Sequence, residues 1–277
     1  MIELMFACVL ILGLALGSFV NALVWRLHEQ AKLSKKKANP DLSIMSGRSM
    51  CPDCHHRLGF WDLLPVISWL TLGGKCRYCR QPISWQYPLV ELSTATLFGL
   101  SYLFWPFGWQ AIGVFQFAVW LLMLTGFMAL SVYDLRWQTL PSRIIYPLSA
   151  LALLQTAVLT VYHQDWRIAV SALVGVLCLG GLFYVMFQVS DGKWIGGGDV
   201  RLGVTLGLLV GGPAQAILLL FLASLTGTLA SLPLLVSNKS GLRRKVAFGP
   251  FLIVAAVMVY LFGTSIVNWY KSRFLLL

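Results

Sequence analysis

Charged residues are scarce in this chain of 277 amino acids. Only 11% of its residues are Asp, Glu, Lys or Arg, whereas a soluble globular domain has about 25%. Because 58% of the residues are also hydrophobic, an ordinary soluble fold is excluded. Several uncharged stretches are long enough to cross a hydrocarbon core about 30 Å thick. We therefore predict an all-α polytopic membrane protein.

Acidic residues are the rarest charged group, with ten Asp and Glu against 21 Lys and Arg. In a soluble protein the resulting charge of +11 would suggest nucleic-acid binding. In a membrane protein, basic residues instead collect in cytoplasmic loops. About eight spans place all but three basic residues, Arg167, Lys271 and Arg273, in the cytoplasm, so we expect no nucleic-acid partner. The predicted spans are about 4–25, 89–107, 109–133, 144–162, 168–190, 200–211, 213–238 and 246–270.

No basic residue precedes the first apolar stretch, which excludes a cleavable signal peptide and predicts an uncleaved span with its N-terminus outside. The even number of spans also places the C-terminus outside. We divide the chain into a first transmembrane helix (1–27), a small cytoplasmic domain (28–88) and a multi-span domain (89–277). The span at 200–211 is short, so it is tilted, re-entrant or buried by its neighbours.

Four of the six cysteines form two pairs, Cys51-Pro-Asp-Cys54 and Cys76-Arg-Tyr-Cys79. Two such pairs direct four thiolates at one ion, in the tetrahedral shell that structural Zn²⁺ sites favour. A cytoplasmic location argues against disulfides. We therefore predict a zinc ion that stabilises the small domain. Four unmetallated thiols, or a redox or iron site, are the alternatives.

Three acids, Glu91, Asp134 and Asp199, lie near the cytoplasmic ends of spans. Ionisable side chains are costly there, so they are functional candidates. Asp199 follows three glycines at 196–198, which allow close backbone approach. If Asp134 and Asp199 meet, they share a proton, and one activates water while the other protonates a carbonyl oxygen. The alternatives are surface acids paired with nearby cations and an ion or proton site of a transporter.

The combination of motifs resembles the type IV prepilin peptidase family, whose members are membrane aspartic proteases. The matching segments run from residue 12 to about 254 and are Leu16 to Asn21 with Trp25-Arg26-Leu27, the two cysteine pairs, 64–69, Tyr87 to Glu91, Asp134 with Leu140-Pro141, Gly196 to Asp199, and Phe248-Gly249-Pro250. The resemblance implies that Asp134 and Asp199 are the catalytic pair. It further implies cleavage of a basic leader from prepilins or pseudopilins, after a glycine, at the cytoplasmic face of the bacterial inner membrane.

The resemblance also implies a second activity, because members with four cysteines N-methylate the new N-terminal residue with S-adenosylmethionine. The residues themselves show no methyl-donor motif. By motif position, the resemblance suggests five supporting residues, which could equally be structural anchors: Asn21, Arg26, Glu91, Gly196 and Gly198. We also expect Glu91 or Asp62 to contact the basic leader.

Two positions depart from the family pattern. Ser142 stands where members commonly have Asp, and Arg201 stands where they commonly have Lys. Tyr133-Asp134 and the Gly-x-Gly-Asp at 196–199 also resemble presenilin-like intramembrane proteases. The cysteine domain and the order of spans argue against that alternative, which would share the chemistry and differ in substrate.

Overall fold

The computed structural model describes residues 2–32, 42–43, 47–237 and 247–274. Within these ranges the regular secondary structure is helical apart from two isolated β-bridges, which confirms the predicted all-α class. The basic clusters at 35–37 and 239–245 lie outside the described residues. The helices are α1 (Ile2–Lys32), a short 3-10 helix (Phe60–Leu63), α2 (Ile67–Thr71), α3 (Gln86–Leu103), α4 (Ala111–Trp137), α5 (Ser142–His163), α6 (Arg167–Val176), a π-helical turn (Leu177–Gly181), α7 (Leu182–Val189), α8 (Gly197–Val210), α9 (Pro213–Ser237) and α10 (Gly249–Phe274).

Six helical segments of the described chain are long and apolar enough to cross a membrane: Glu3–Lys32, Ala111–Trp137, Ser142–His163, Arg167–Val189, Pro213–Leu232 and Gly249–Phe274. The other two predicted spans, 89–107 and 200–211, correspond to α3 and α8. Helix α3 carries the buried Glu91 among several polar residues. Helix α8 has 14 residues, which at 1.5 Å per residue reach about 21 Å and so fall short of the hydrocarbon core.

The chain divides into two compact units, Met1–Phe104 and Trp105–Leu277. In the first unit α1 packs along α3. The two helices approach closely at Gly17, where an added Cβ would lie 2.7 Å from the Cα of Glu91. The cysteine segment connects them in sequence. This packing does not test the domain borders predicted at 27 and 88, so they stay a prediction.

In the second unit α8 is surrounded by its neighbours. It packs against α5, α6, α7, α9 and α10. An added Cβ on Gly207 would lie 2.7 Å from the carbonyl oxygen of Gly175, so only glycine permits this approach of α8 to α6. The short α8 is thus buried by other helices, one of the three arrangements expected for it. This packing seats its first turn, which carries Asp199.

The turns of the second unit follow from residues with special backbone geometry. Helix α4 ends before Gln138, which has a left-handed φ of 52°, and α5 starts directly after Pro141. Between α8 and α9, Gly211 has a φ of 72° and Pro213 is the first residue of α9, as the sequence predicted. The α4–α5 turn places Leu140 close to the end of α4 and so to Asp134.

Candidate active site and metal centre

Asp134 lies in the last turn of α4 and is 5% exposed. Its Oδ2 accepts a hydrogen bond from the backbone N–H of Gly249, at 3.1 Å. Gly249 is the first residue of α10, where backbone N–H groups have no partner within the helix. A buried carboxylate is costly unless such a donor compensates it, so the start of α10 supplies what the site of Asp134 requires.

Asp199 lies in the first turn of α8. Its Oδ2 accepts a hydrogen bond from the N–H of Gly196, at 3.2 Å, and Gly196 precedes the helix in an extended conformation. A carboxylate in this position also interacts favourably with the positive end of the helix dipole. The helix start therefore accommodates a partly buried anion with contacts from its own segment.

The structure brings Asp134 and Asp199 together. They are close enough for the charge of one to act on the other. Leu140 lies between the two segments: an added Cβ on Gly198 would lie 2.8 Å from the Cβ of Leu140, and one on Gly249 would lie 3.3 Å from its Cδ2. Where two such carboxylates come into contact, they share a proton more readily than they both ionise. This arrangement can therefore perform paired acid and base chemistry.

The two departures from the family pattern are partners in space. Arg201 donates a hydrogen bond from its guanidinium to the hydroxyl of Ser142, and it lies 5.9 Å from the ring centroid of Tyr146. Among the described residues, no lysine or arginine forms an ion pair with Asp134 or Asp199. The structure thus gives no support to the alternative in which the aspartates are neutralised by nearby cations.

The four predicted cysteine ligands lie together in the first unit, in two similar backbone loops. In each loop the backbone carbonyl oxygen of the first cysteine accepts a hydrogen bond from the backbone N–H four residues later. The N–H of His55 donates to Cys51, and that of Arg80 donates to Cys76. Both of these residues have a left-handed φ, of 55° and 62°. A β-bridge closes each loop, between Met50 and Arg57 and between Lys75 and Pro82. The spacing of each pair therefore produces one knuckle.

The four Sγ atoms all lie within 4.8 Å of one another, and those of Cys51 and Cys79 are 3.9 Å apart. Four thiolates around a tetrahedral zinc ion at 2.3 Å would be about 3.8 Å apart. Burial raises the pKa of Cys76, but the backbone N–H groups of Cys79 and Tyr78 outweigh it and lower the pKa to about 7. The thiolate of Cys76 is thus accessible near neutral pH, whereas the pKa values of Cys51 and Cys79 are raised. The convergence of the four Sγ atoms shows that the cluster could bind a metal ion.

Two of the supporting residues hold the first unit together. Asn21 donates to the carbonyl oxygen of Tyr87 at 3.1 Å and accepts from the side chain of Gln86 at 3.2 Å, which ties α1 to the start of α3. Arg26 is buried and donates to the carbonyl oxygen of Ser43 at 3.3 Å. These contacts are those of structural anchors.

Glu91 and Asp62, the predicted contacts of a basic leader, are both occupied by other partners. Glu91 is 5% exposed and its Oε2 accepts the N–H of Val66 at 2.7 Å. Asp62 accepts from Arg77 at 2.7 Å and from Tyr78 at 3.2 Å. Burial raises the pKa of Asp62, but the hydrogen bond from Arg77 prevails and lowers it. Both carboxylates thus have partners within the first unit, and their contact with a basic leader stays a prediction.

Two residues of the aspartate site were not predicted as such. Gly249 and Leu140 were noted as parts of short motifs, Phe248-Gly249-Pro250 and Leu140-Pro141. The signal that could have identified them is the placement of both motifs at the ends of spans, on the side where Asp134 and Asp199 lie. Neither motif shows by itself which carboxylate it contacts.

Comparison with known proteins relates both halves of the chain to one family. Residues 11–105 match the Bacterial Peptidase A24 N-terminal domain, and residues 121–232 match the Type IV leader peptidase family. No solved structure matches the chain.

Three bacterial relatives, each named a prepilin leader peptidase/N-methyltransferase, match over nearly their full length. The protein of Stutzerimonas stutzeri is 33% identical, and the match covers 95% of this chain and 92% of the relative. The protein of Aeromonas hydrophila is 32% identical, with 98% of this chain and 96% of the relative covered. The protein of Pseudomonas aeruginosa is 32% identical, with 95% of this chain and 92% of the relative covered. This chain therefore belongs to the type IV leader peptidase family of bacterial A24 peptidases.

Proposed function

We propose that this protein is a prepilin leader peptidase/N-methyltransferase whose peptidase pair is Asp134 and Asp199. The activity is proposed from the relatives of that name, which are about 32% identical to this chain over nearly its full length. The observation that supports the pair is the mutual approach of the two carboxylates, from the end of α4 and the start of α8. Both residues lie within the segment that matches the peptidase family.

The pair supports hydrolysis by general acid and base catalysis. One carboxylate removes a proton from water while the oxygen of that water bonds to the carbonyl carbon of the scissile peptide. The other carboxyl gives its proton to the carbonyl oxygen. Collapse of the tetrahedral intermediate breaks the C–N bond, and the leaving nitrogen takes up a proton. The reaction consumes one water and needs neither a metal ion nor a covalent intermediate.

The substrate is a prepilin or pseudopilin that lies partly in the lipid bilayer. Its basic leader would lie in the cytoplasm and be cut after a glycine, while its apolar stem remains in the bilayer. This topology has eight segments between the two faces of the inner membrane, with α3 and the short, buried α8 counted among them, and both termini outside. The placement of most basic residues between spans on one side supports that orientation.

A structural zinc ion fits the four cysteines of the first unit. Cys51, Cys54, Cys76 and Cys79 would hold it in a closed shell, and it would supply folding free energy to a segment with few buried residues. The methyl donor, S-adenosylmethionine, is a substrate of the second activity and supplies a methyl group to the new N-terminal amine. The similarity to bifunctional relatives supports this activity.

The peptidase pair is tested by mass spectrometry of a prepilin incubated with the purified enzyme and S-adenosylmethionine. Wild type is expected to yield the cleaved and methylated product. Asp134→Asn and Asp199→Asn should each lower cleavage by about 10²- to 10⁴-fold, because each removes one partner of the proton transfer. Methylation of a pre-cleaved substrate serves as the control for folding. Near-normal cleavage by either variant would refute the pair. Proton or ion flux in liposomes without a peptide product would instead support the transporter.

A further inference from the structure

Each carboxylate of the aspartate site has one oxygen that accepts a backbone N–H from a glycine. For Asp134 the pair is Oδ2 and Gly249, and for Asp199 it is Oδ2 and Gly196. An oxygen that accepts an N–H offers a lone pair in that direction and cannot carry its proton there. Each contact therefore fixes one lone-pair direction of its carboxylate and leaves the remaining sites for the shared proton and the water.

The two glycine contacts have different origins. Gly196 is three residues before Asp199, so the start of α8 creates this contact locally. Gly249 is 115 residues from Asp134 and belongs to another helix. Its N–H reaches Oδ2 because α10 packs against α4 and begins beside the last turn of α4. The orientation of the Asp134 carboxylate therefore depends on tertiary packing.

Gly249 also has no side chain at the point where the carboxylate lies. An added Cβ would lie 2.7 Å from Oδ2 of Asp134, 3.4 Å from its Cγ and 3.3 Å from Cδ2 of Leu140. The φ of Gly249 is not positive, so an L-residue could adopt this backbone. What position 249 requires is space, because an added Cβ would crowd both the Asp134 carboxylate and Leu140.

We propose that Gly249 is a positioning residue for the peptidase reaction: its N–H holds Oδ2 of Asp134, and its missing Cβ admits the carboxylate. Together these features fix the rotation of the carboxylate and so the orientation that it presents to Asp199 and the attacking water. This inference rests on the proposed function of the Asp134–Asp199 pair. Since rates fall by about 10²-fold when a reacting group moves by about 1 Å, a methyl group at this position should lower the rate of cleavage.

The first test compares Gly249→Ala with Gly227→Ala in cleavage of a prepilin. A Cβ at Gly227 would meet its nearest atoms at 3.6 Å, an ordinary contact, so this matched variant should behave as wild type. We expect Gly249→Ala to lower kcat by about 10²-fold at an unchanged KM, because only the reacting group is displaced. A wild-type kcat, or a raised KM at an unchanged kcat, would overturn the proposal.

The second test separates the N–H from the missing Cβ. Gly249→Pro adds a Cβ at the same place and also removes the donor, and proline is tolerated at the first residue of a helix. Its kcat should be lower than that of Gly249→Ala. Equal values would show that space alone is required and would overturn the role of the N–H.

A third measurement does not depend on whether these variants fold. The amide of Gly249 should exchange slowly with deuterium in the wild-type protein and faster in Asp134→Ala, which removes its acceptor. Unchanged exchange would contradict the contact itself. The proposed function fails separately, through near-normal cleavage by Asp134→Asn, whatever the behaviour of Gly249.

Discussion

The cysteine cluster and the aspartate site bring distant residues together by different means. Each knuckle of the cluster is built within about eight residues, from Met50 to Arg57 and from Lys75 to Pro82, and only two such loops have to meet. The aspartate site takes its parts from the end of α4, the start of α8 and the start of α10. The geometry of each cysteine pair is thus fixed by its own loop, whereas the relative position of the aspartates depends on helix packing.

The two regions also stabilise their anions differently. The pKa of Cys76 is lowered by N–H groups of the same loop, from Cys79 and Tyr78, against the effect of burial. Asp134 receives its N–H from Gly249, a residue of another helix. Substitutions in the knuckles should therefore have effects confined to the cysteine segment, while those around Asp134 should affect the reaction.

The largest effect that would sharpen this comparison is expected in the cysteine cluster. Cys51→Ser removes one of four ligands, so the purified protein should lose about one bound metal ion per chain and its segment 47–85 should exchange amide hydrogens faster. Elemental analysis and deuterium exchange measure these two changes. Cys178→Ser, outside the cluster, is the matched control. Metal-free wild-type protein, purified under reducing conditions, would refute the zinc site.

A smaller effect is expected at Glu91. Its carboxylate accepts the N–H of Val66, which has an unusual left-handed φ of 60° for a β-branched residue. Glu91→Gln keeps an acceptor but removes the charge, and should weaken this contact by about 1 kcal/mol. Faster amide exchange over 60–71 with unchanged metal content is the expected result. Glu29→Gln, which alters only a partly exposed ion pair with Lys32, should leave this exchange as in wild type.

The smallest effect is expected at Ser142, the partner of Arg201. Because Arg201 is exposed, Ser142→Ala should lower the free energy of unfolding by no more than about 0.5 kcal/mol, and Ser142→Asp should raise it by a similar amount through an ion pair. Thermal unfolding in detergent detects both changes. A much larger loss in Ser142→Ala would show that this contact is needed to seat α8 and that the aspartate region depends on its periphery.

The sequence predicted the helical spans well where their length and apolar character are sufficient, as in α4, α5 and α10. It predicted α8 less well, because a buried helix of 14 residues owes its stability to its neighbours and carries no membrane-length signal. The sequence did not show that Glu91 and Asp62 have partners within the first unit, Val66 and Arg77, because these contacts form between residues that are 25 and 15 positions apart.

The sequence by itself determined the membrane class, the four metal-ligand candidates and the small set of acids at the membrane border. These follow from composition and from spacings shorter than ten residues, within which backbone geometry is nearly fixed. Only the tertiary structure decided that Asp134 and Asp199 approach each other, and that Gly249 donates to Asp134. Such contacts join helices that are far apart in sequence, and they arise from the close packing of α8 and α10 against the rest of the second unit.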